Sequence, residues 1–117
     1  MITIFKGNLG ENEACRYLRK NKYKILVRNY RQRCGEIDII AQKDENIAFV
    51  EVKTRSKTEY GNPSEAVTYT KQQKIKKTAM FYIGENNIDA DFTFDIIEVI
   101  IDNKKVVSVN HIKNAFY

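Results

Sequence analysis

The sequence predicts an α/β domain in which one mixed β-sheet of about five strands is flanked by helices. Two observations indicate this. Apolar residues recur at three- and four-residue spacing in two segments, as in amphipathic helices, and further runs are rich in β-branched and aromatic residues, as in strands. The order along the chain is helix, three strands, long helix and two strands. The length of 117 residues suits a single domain over residues 1–117, and 43% hydrophobic and 30% charged residues are ordinary for a globular protein.

An N-terminal helix precedes the first three strands. Residues 10–21 place three largely apolar side chains on one side of a helix, Ala14, Tyr17 and Leu18. Strands in meander order are then predicted at residues 23–30, 36–42 and 47–54. Two short turn sequences separate them, Cys34-Gly35 and the KDEN segment that follows Gln42.

A long second helix is predicted over residues 64–83. Pro63 precedes it, Ser64 is its predicted cap and Glu65 lies in its first turn. Its apolar face is predicted to comprise Val67, Ile75, Ala79 and Tyr82, and its end is marked by Gly84 and Asn86-Asn87. The remaining segments predict two strands and a last helical turn, at residues 92–101, 105–109 and 110–117.

The net charge, the cysteines and the single histidine limit the classes of function that the chain can have. A net charge of +5 favours polyanionic partners, because neutralising phosphates releases counterions, although many basic proteins of this size bind no nucleic acid. The sequence has neither a secretory signal pattern nor a run of about eighteen apolar residues, which predicts a cytoplasmic protein without membrane association. Cys15 and Cys34 are predicted to be reduced and structural, since neither has ligand-spaced partners. The single histidine, His111, argues against most covalent hydrolase classes.

Two predicted strands carry an acidic residue among apolar ones, Asp38 in IDII and Glu51 in IAFVEV. A buried charge is costly unless it is paired or bound to a metal. If Asp44 and Glu45 form an even-numbered hairpin loop, Asp38 lies directly across from Glu51, and Glu36 lies across from Lys53. An odd loop without a bulge would instead place the two acids on opposite faces.

Opposed carboxylates, with Cβ atoms about 4.5–5.5 Å apart, repel each other and need a cation. Lys53 lies on the same face as Glu51, but one ammonium cannot fill the oxygen sites of two carboxylates. Mg²⁺ prefers oxygen ligands and typically takes one or two carboxylates plus a substrate phosphate, so the pair predicts a magnesium site in which Mn²⁺ can substitute. The alternative is a structural pair neutralised by Lys53 and a nearby arginine.

The same residues carry a resemblance to a known family. Asp38, then twelve residues, then Glu51-Val52-Lys53 resembles the Asp…Glu-x-Lys signature of the PD-(D/E)xK nuclease superfamily, although Ile37 stands where that superfamily often has proline. Six segments in order are similar to the YraN family of small bacterial proteins: GENEA at 10–14, GEIDIIA at 35–41, FVEVKTR at 49–55, YGNPSEAVT at 60–68, FDIIEV at 94–99 and HIKNAF at 111–116. The resemblance covers nearly the whole chain and implies a restriction-endonuclease-like fold.

The resemblance also implies a reaction and its residues. It implies a Mg²⁺-dependent nuclease that hydrolyses DNA phosphodiester bonds with a metal-activated water, on branched or single-stranded DNA. Asp38 and Glu51 would hold the metal with the Val52 carbonyl as a third ligand, and Lys53 would orient the water or stabilise charge on the phosphate. Glu11 matches a glutamate that archaeal Holliday junction resolvases use as an additional metal ligand. The alternative for Glu11 is a solvated first-turn residue favoured by the helix dipole.

Basic residues accompany the predicted site. Lys71, Lys74 and Lys77 follow at three-residue spacing on the long helix, and Arg55 is one of several arginines around the hairpin. Arg55, Lys71 and Lys74 are predicted to bind nucleic acid, whereas a solvated helix face explains the same pattern of lysines. Two other functions remain open, a non-catalytic nucleic-acid-binding module with the same fold and an adaptor for another protein. The short chain leaves little room for loops that grip a substrate, which favours a partner or a homodimer.

Overall fold

A computed structural model of the chain shows one mixed five-stranded sheet with a helix packed on each face. The structure describes residues 2–58 and 67–117, with side chains from residue 8 onward. The elements in chain order are α1 (Ile2–Lys20), β1 (Lys24–Gln32), β2 (Gly35–Lys43), β3 (Asn46–Ser56), α2 (Tyr69–Glu85), β4 (Asp91–Asp102) and β5 (Lys105–Phe116). The predicted α/β class with one mixed sheet is confirmed, and the arrangement is consistent with a restriction-endonuclease-like fold.

The strands lie in the order β1-β2-β3-β4-β5. The first three form an antiparallel meander, β3 pairs with β4 in parallel, and β5 returns antiparallel to β4. Parallel neighbours require a crossover connection, and α2 lies within the one that joins β3 to β4. This topology places β3 at the centre of the sheet with α2 over one face.

Alternation along β3 divides the core into two clusters. Val50 points towards α1 and packs in one apolar cluster with Leu18, while Phe49 points towards α2 and packs in a second cluster with Ile75. Most of the predicted apolar helix positions are buried, namely Ala14 and Leu18 in α1 and Ile75, Ala79 and Tyr82 in α2. The same alternation places Glu51 on the face that α2 covers.

Both helices begin elsewhere than the sequence predicts. α1 begins at Ile2 rather than at residue 10. α2 begins at Tyr69 rather than at residue 64, because Thr68 is its cap: the Thr68 hydroxyl accepts a hydrogen bond from the Lys71 N–H at 3.2 Å. The predicted cap and first-turn residues at positions 63–65 lie outside the described residues.

The C-terminal tail is a strand, and the prediction of a last helical turn is wrong. β5 continues to Phe116, which lies opposite Phe94 of β4. Pairing with β4 resumes at Phe116 after an irregularity, where the Asn114 N–H donates to the Asp95 side chain, whereas one isolated helical turn fixes several residues for few hydrogen bonds.

Cys15 and Cys34 are free thiols, and burial raises the pKa of the Cys15 thiol. Within the described ranges, neither helix has the length and apolar character that crossing a membrane requires.

Candidate active site

The two acids that the sequence places opposite each other meet where β2 and β3 separate. The antiparallel ladder pairs Ile39 with Val50 and continues in the predicted register to the hairpin turn, so that register is confirmed. Asp38 and Glu51 are the next positions beyond Ile39 and Val50, at the end of the ladder away from the turn. There the Asp38 side chain takes the place of a strand carbonyl, because its Oδ2 accepts a hydrogen bond from the Val52 N–H at 2.8 Å.

The environment of Asp38 strongly disfavours its negative charge. Burial raises the pKa of Asp38 from its ordinary 3.8 to about 8, and the charge of Glu51 and a hydrogen bond to that side chain raise it as well, against the Val52 N–H, which lowers it. Glu51 is itself only 8% exposed. Without a further cation, Asp38 therefore keeps its proton to a higher pH than an ordinary aspartate, and a cation bound to both acids would favour its ionised form.

Lys71 is the cation that reaches this pair. Lys71 lies in the first turn of α2, opposite β3, and its ammonium forms an ion pair with Glu51 Oε2. Burial lowers the pKa of Lys71, but the hydrogen bond and charge of Glu51 outweigh this effect and raise the pKa overall. The Lys71 side chain is 50% exposed and that of Glu51 is 10% exposed, so the ion pair lies at the boundary between core and solvent.

A cleft of about 430 Å³ separates the acids from the first turns of α2. Its sheet side carries the acidic groups and its helix side the basic and hydroxyl groups, with Glu36, Asp38 and Glu51 facing Thr68, Lys71 and Lys74. Gly35 allows this close approach, because a Cβ at that position would lie 3.0 Å from Thr78 Oγ1 and 3.3 Å from Lys74 Cβ. The cleft therefore brings the two predicted metal-binding acids and two of the predicted nucleic-acid-binding lysines together.

Lys53 lies on the same face of β3 as Glu51 but does not neutralise it. In the parallel register Lys53 is opposite Glu98, whose carboxylate pairs instead with Arg55. Among the described residues, no side chain forms an ion pair with the Lys53 ammonium, and Lys53 lies outside the described lining of the cleft. Its predicted partner Glu36 pairs with Arg31, at 3.5 Å. The role of Lys53 in orienting a water molecule stays a prediction.

Glu11 lies within electrostatic reach of the site but is paired elsewhere. Its Oε1 is 3.7 Å from Nη2 of Arg28 on β1. Its charge is the smallest of the contributions that raise the pKa of Asp38. In the parts of the chain that the structure describes, no three His, Cys, Asp or Glu side chains are grouped to hold a metal ion. The role of Glu11 as an additional ligand stays a prediction that requires it to leave Arg28.

Arg55 lies in a buried ion pair, and its predicted contact with nucleic acid stays a prediction that requires it to leave Glu98. Its side chain is 11% exposed and forms a buried ion pair with Glu98. Removing a guanidinium from such a pair would leave a buried carboxylate without compensation. Lys71 and Lys74, by contrast, are exposed residues that line the cleft.

Pairing of Lys71 with Glu51 is the feature of the site that the sequence reasoning missed. One signal was present, because a lysine in the first turn of a helix opposes the helix dipole and α2 has no acidic residue there. Such a lysine needs an anion from another element. Only the packing of α2 on the sheet shows that this anion is Glu51.

The groups at the separation of β2 and β3 suit a magnesium ion. Asp38 and Glu51 supply carboxylate oxygens, and the Val52 carbonyl projects to the same side of β3 as its N–H, towards Asp38. Mg²⁺ keeps several waters and is usually held by one or two carboxylates plus a phosphate, so two side chains are sufficient. Burial is the largest cause of the raised pKa of Asp38, followed by the charge of Glu51.

Comparisons with known proteins identify a set of relatives. A model described as "Uncharacterised protein family UPF0102" matches residues 10–99, which include every cleft residue named above. A UPF0102 protein of Caldanaerobacter subterraneus is 50% identical over 113 residues, covering 94% of this chain and 93% of the relative. UPF0102 proteins of Alkaliphilus metalliredigens and Syntrophomonas wolfei are 49% and 45% identical over 111 residues, each match covering 94% of this chain and 96% of the relative.

Proposed function

We propose that this chain, which belongs to the uncharacterised protein family UPF0102, is a Mg²⁺-dependent nuclease that hydrolyses phosphodiester bonds of DNA. Membership of UPF0102 confirms the YraN-like resemblance at the level of the family, and the relation to PD-(D/E)xK nucleases is part of the proposal. The observation that carries the proposal is the pair of acids Asp38 and Glu51, which adjoin at the end of the β2–β3 ladder and face one cleft.

Each side of the cleft has a distinct proposed role. Asp38 and Glu51 hold the metal ion together with the Val52 carbonyl. When bound, Mg²⁺ supplies Lewis-acid polarisation of the phosphate and lowers the pKa of a water molecule. Lys53 orients that water or stabilises charge on the phosphate, and Lys71 and Lys74 bind the DNA backbone from the helix side.

DNA is the proposed substrate because of charge and chemistry together. The net charge of +5 favours a polyanion. A magnesium site beside two exposed lysines suits phosphate, because the metal takes a phosphate oxygen as a ligand and lysine binds phosphate as a point charge. Branched and single-stranded forms are the expected substrates, by the resemblance to junction resolvases.

Cleavage of a DNA panel tests the proposal. Purified protein with Mg²⁺ or Mn²⁺ should nick at least one of supercoiled plasmid, single-stranded circle and four-way junction. Asp38→Ala and Glu51→Ala should each lower the rate by about a hundredfold or more, because each removes a proposed metal ligand. Glu45→Ala is the matched control, since Glu45 is an exposed acid at the turn of the same hairpin, and it should cleave like wild type.

The alternative, a non-catalytic nucleic-acid-binding module, is favoured by one observation. Glu51 already has a cationic partner in Lys71, as a purely structural acid would. This alternative predicts salt-dependent retention of DNA with no metal-dependent cutting. Cleavage that persists unchanged in Asp38→Ala and Glu51→Ala protein would rule out the proposed site.

A further inference from the structure

We propose that Lys71 is an exchangeable cation of this cleft: it neutralises Glu51 in the metal-free protein, leaves that carboxylate when a divalent ion binds, and then contacts a DNA phosphate. The inference rests on the proposed function, because it takes the same pair of acids as the metal site. It adds a residue outside the Asp…Glu-x-Lys pattern and makes metal binding and DNA binding depend on each other.

The position of Lys71 on α2 is the first observation. Lys71 lies in the first turn, at the positive end of the helix dipole, where lysine is unfavourable and no acidic residue is present. Lys74 follows on the same side of the cleft and adds positive charge. This end of α2 is therefore more stable with an anion in the cleft, and Glu51 is the anion that Lys71 contacts.

The contacts of the two acids are the second observation. Lys71 pairs with Glu51, whereas the hydrogen bond that Asp38 receives comes from the Val52 N–H. One ammonium therefore neutralises one acid of the pair. An ion with two positive charges, placed close enough to bind both acids, repels an ammonium that lies within a few ångströms at Glu51.

The difference in exposure determines which partner moves. Glu51 is held in the central strand with its side chain 10% exposed, whereas the Lys71 side chain is 50% exposed. A lysine ammonium is a point charge on a flexible four-carbon stem, so it can change partner without movement of the helix. Once displaced, the Lys71 ammonium remains beside Lys74 at the mouth of the cleft, where a backbone phosphate is the matching anion.

Calorimetric titration of Mn²⁺ into the full chain tests the exchange. Lys71→Met should bind Mn²⁺ about threefold to tenfold more tightly than wild type, because no ammonium then has to leave Glu51. Lys74→Met is the matched control: Lys74 lines the same cleft from the same helix and forms no ion pair with Glu51 among the described contacts. Its Mn²⁺ affinity should stay within about twofold of wild type, since exposed charges are well screened.

Thermal unfolding provides a readout that does not depend on activity and verifies folding. In EDTA, Lys71→Met should unfold at a lower temperature than Lys74→Met, because Glu51 has lost its partner. Added Mn²⁺ should raise the unfolding temperature of Lys71→Met by more than that of wild type, in line with tighter binding.

DNA-binding measurements test whether the displaced Lys71 ammonium contacts a phosphate. In a Lys53→Met background, used to suppress cleavage, Lys71→Met should weaken binding of a short DNA duplex about threefold to tenfold in Mn²⁺ and by less than about twofold in EDTA. Lys74→Met should weaken DNA binding equally in Mn²⁺ and in EDTA, since the Lys74 ammonium is not paired with Glu51 among the described ion pairs and can contact DNA whether or not metal is bound.

The outcomes separate this inference from the proposed function. Equal Mn²⁺ affinities for wild type and Lys71→Met, with binding abolished by Asp38→Asn, would overturn the exchange and leave the metal site in place. A Lys71→Met defect in DNA binding of the same size with and without Mn²⁺ would also overturn it. Failure of the wild-type chain to bind Mn²⁺ would overturn both proposals.

Discussion

Asp38 is the residue whose ionisation should most affect the stability of the metal-free protein. Its pKa is about 8 in the folded chain, against an ordinary value of 3.8. Between these values the unfolded chain has released a proton that the folded chain keeps. The contribution of Asp38 to the free energy of unfolding therefore decreases as pH rises, by at most about 1.4 kcal/mol per pH unit, and the decrease is complete above about pH 8.

Replacing Asp38 by asparagine should remove this dependence. Urea unfolding in EDTA, from about pH 5 to about pH 8, should show that the free energy of unfolding of wild type falls relative to that of Asp38→Asn as pH increases. Asp44→Asn, which changes an exposed acid at the turn of the same hairpin, should run parallel to wild type. A constant difference between wild type and Asp38→Asn across this range would contradict the assigned environment.

Single residues of the site differ in how far the sequence determines them. The register that brings Asp38 close to Glu51 follows from a short hairpin turn, which is local. The cationic partner of Glu51 does not follow from local sequence, because it depends on where α2 packs on the sheet. For the same reason Arg55, whose basic character suggested a nucleic-acid contact, lies in a buried ion pair with Glu98 that only the parallel pairing of β3 and β4 creates.

At the scale of elements, α1 is held close to the central strand at Gly10. A Cβ on Gly10 would overlap Thr54 Oγ1 and lie 3.0 Å from Thr54 Cβ. Gly10→Ala should therefore separate α1 from β3 and lower the free energy of unfolding by about 1–3 kcal/mol, as overpacking does elsewhere. Combining it with Thr54→Ala should recover part of the loss, because the overlapping hydroxyl is then absent.

Gly84 provides the matched control for this substitution. It lies near the end of α2, and a Cβ there would have no neighbouring heavy atom within 4 Å. Gly84→Ala should therefore stabilise the protein by up to about 1 kcal/mol, through the higher helix propensity of alanine. Urea unfolding of both variants measures the contrast, and destabilisation by both or neither would show that close packing at Gly10 has no special effect.

Elements were predictable from sequence where the pattern itself is local. The buried strands β2, β3 and β4 lie within about two residues of their predicted bounds, because each is a short apolar run bounded by polar residues. The start of α2 was misplaced because Ser64 and Thr68 both suit a cap, and only the structure distinguishes them. The end of β5 was missed because much of that edge strand is exposed and polar, and pairing with β4 determines its conformation.

At the scale of the whole molecule, a buried polar cluster connects the first helix to the last strand. His111 Nε2 of β5 lies 2.8 Å from Asp95 Oδ2 of β4, and His111 Nδ1 lies 3.2 Å from the Tyr17 hydroxyl of α1. The Asn114 N–H donates to the other Asp95 oxygen at 3.0 Å. The His111 and Asp95 side chains are each 2% exposed, so these groups have little access to water and depend on one another for hydrogen bonds.

This cluster supports the sheet from the α1 face, away from the cleft, which leads to a prediction that separates stability from catalysis. His111→Phe keeps an aromatic ring against Tyr17 and Tyr23 but removes both ring nitrogens. The free energy of unfolding should fall by about 1–3 kcal/mol, because Asp95 Oδ2 loses its partner in a buried site. Lys113→Ala, at an exposed position of the same strand, should change it by less than about 0.5 kcal/mol.

Hydrogen exchange should locate the effect of His111→Phe, with faster exchange at the amides of α1 and β5 and little change in β2 and β3, where the proposed metal site lies. DNA cleavage by the variant, measured well below its unfolding temperature, should accordingly match wild type. If stability were unchanged, packing of the rings alone would join the two ends of the chain. If cleavage were lost from a folded variant, the assignment of the reaction to the cleft beneath α2 would be contradicted, since His111 contacts Tyr17 of α1, which packs on the opposite face of the sheet.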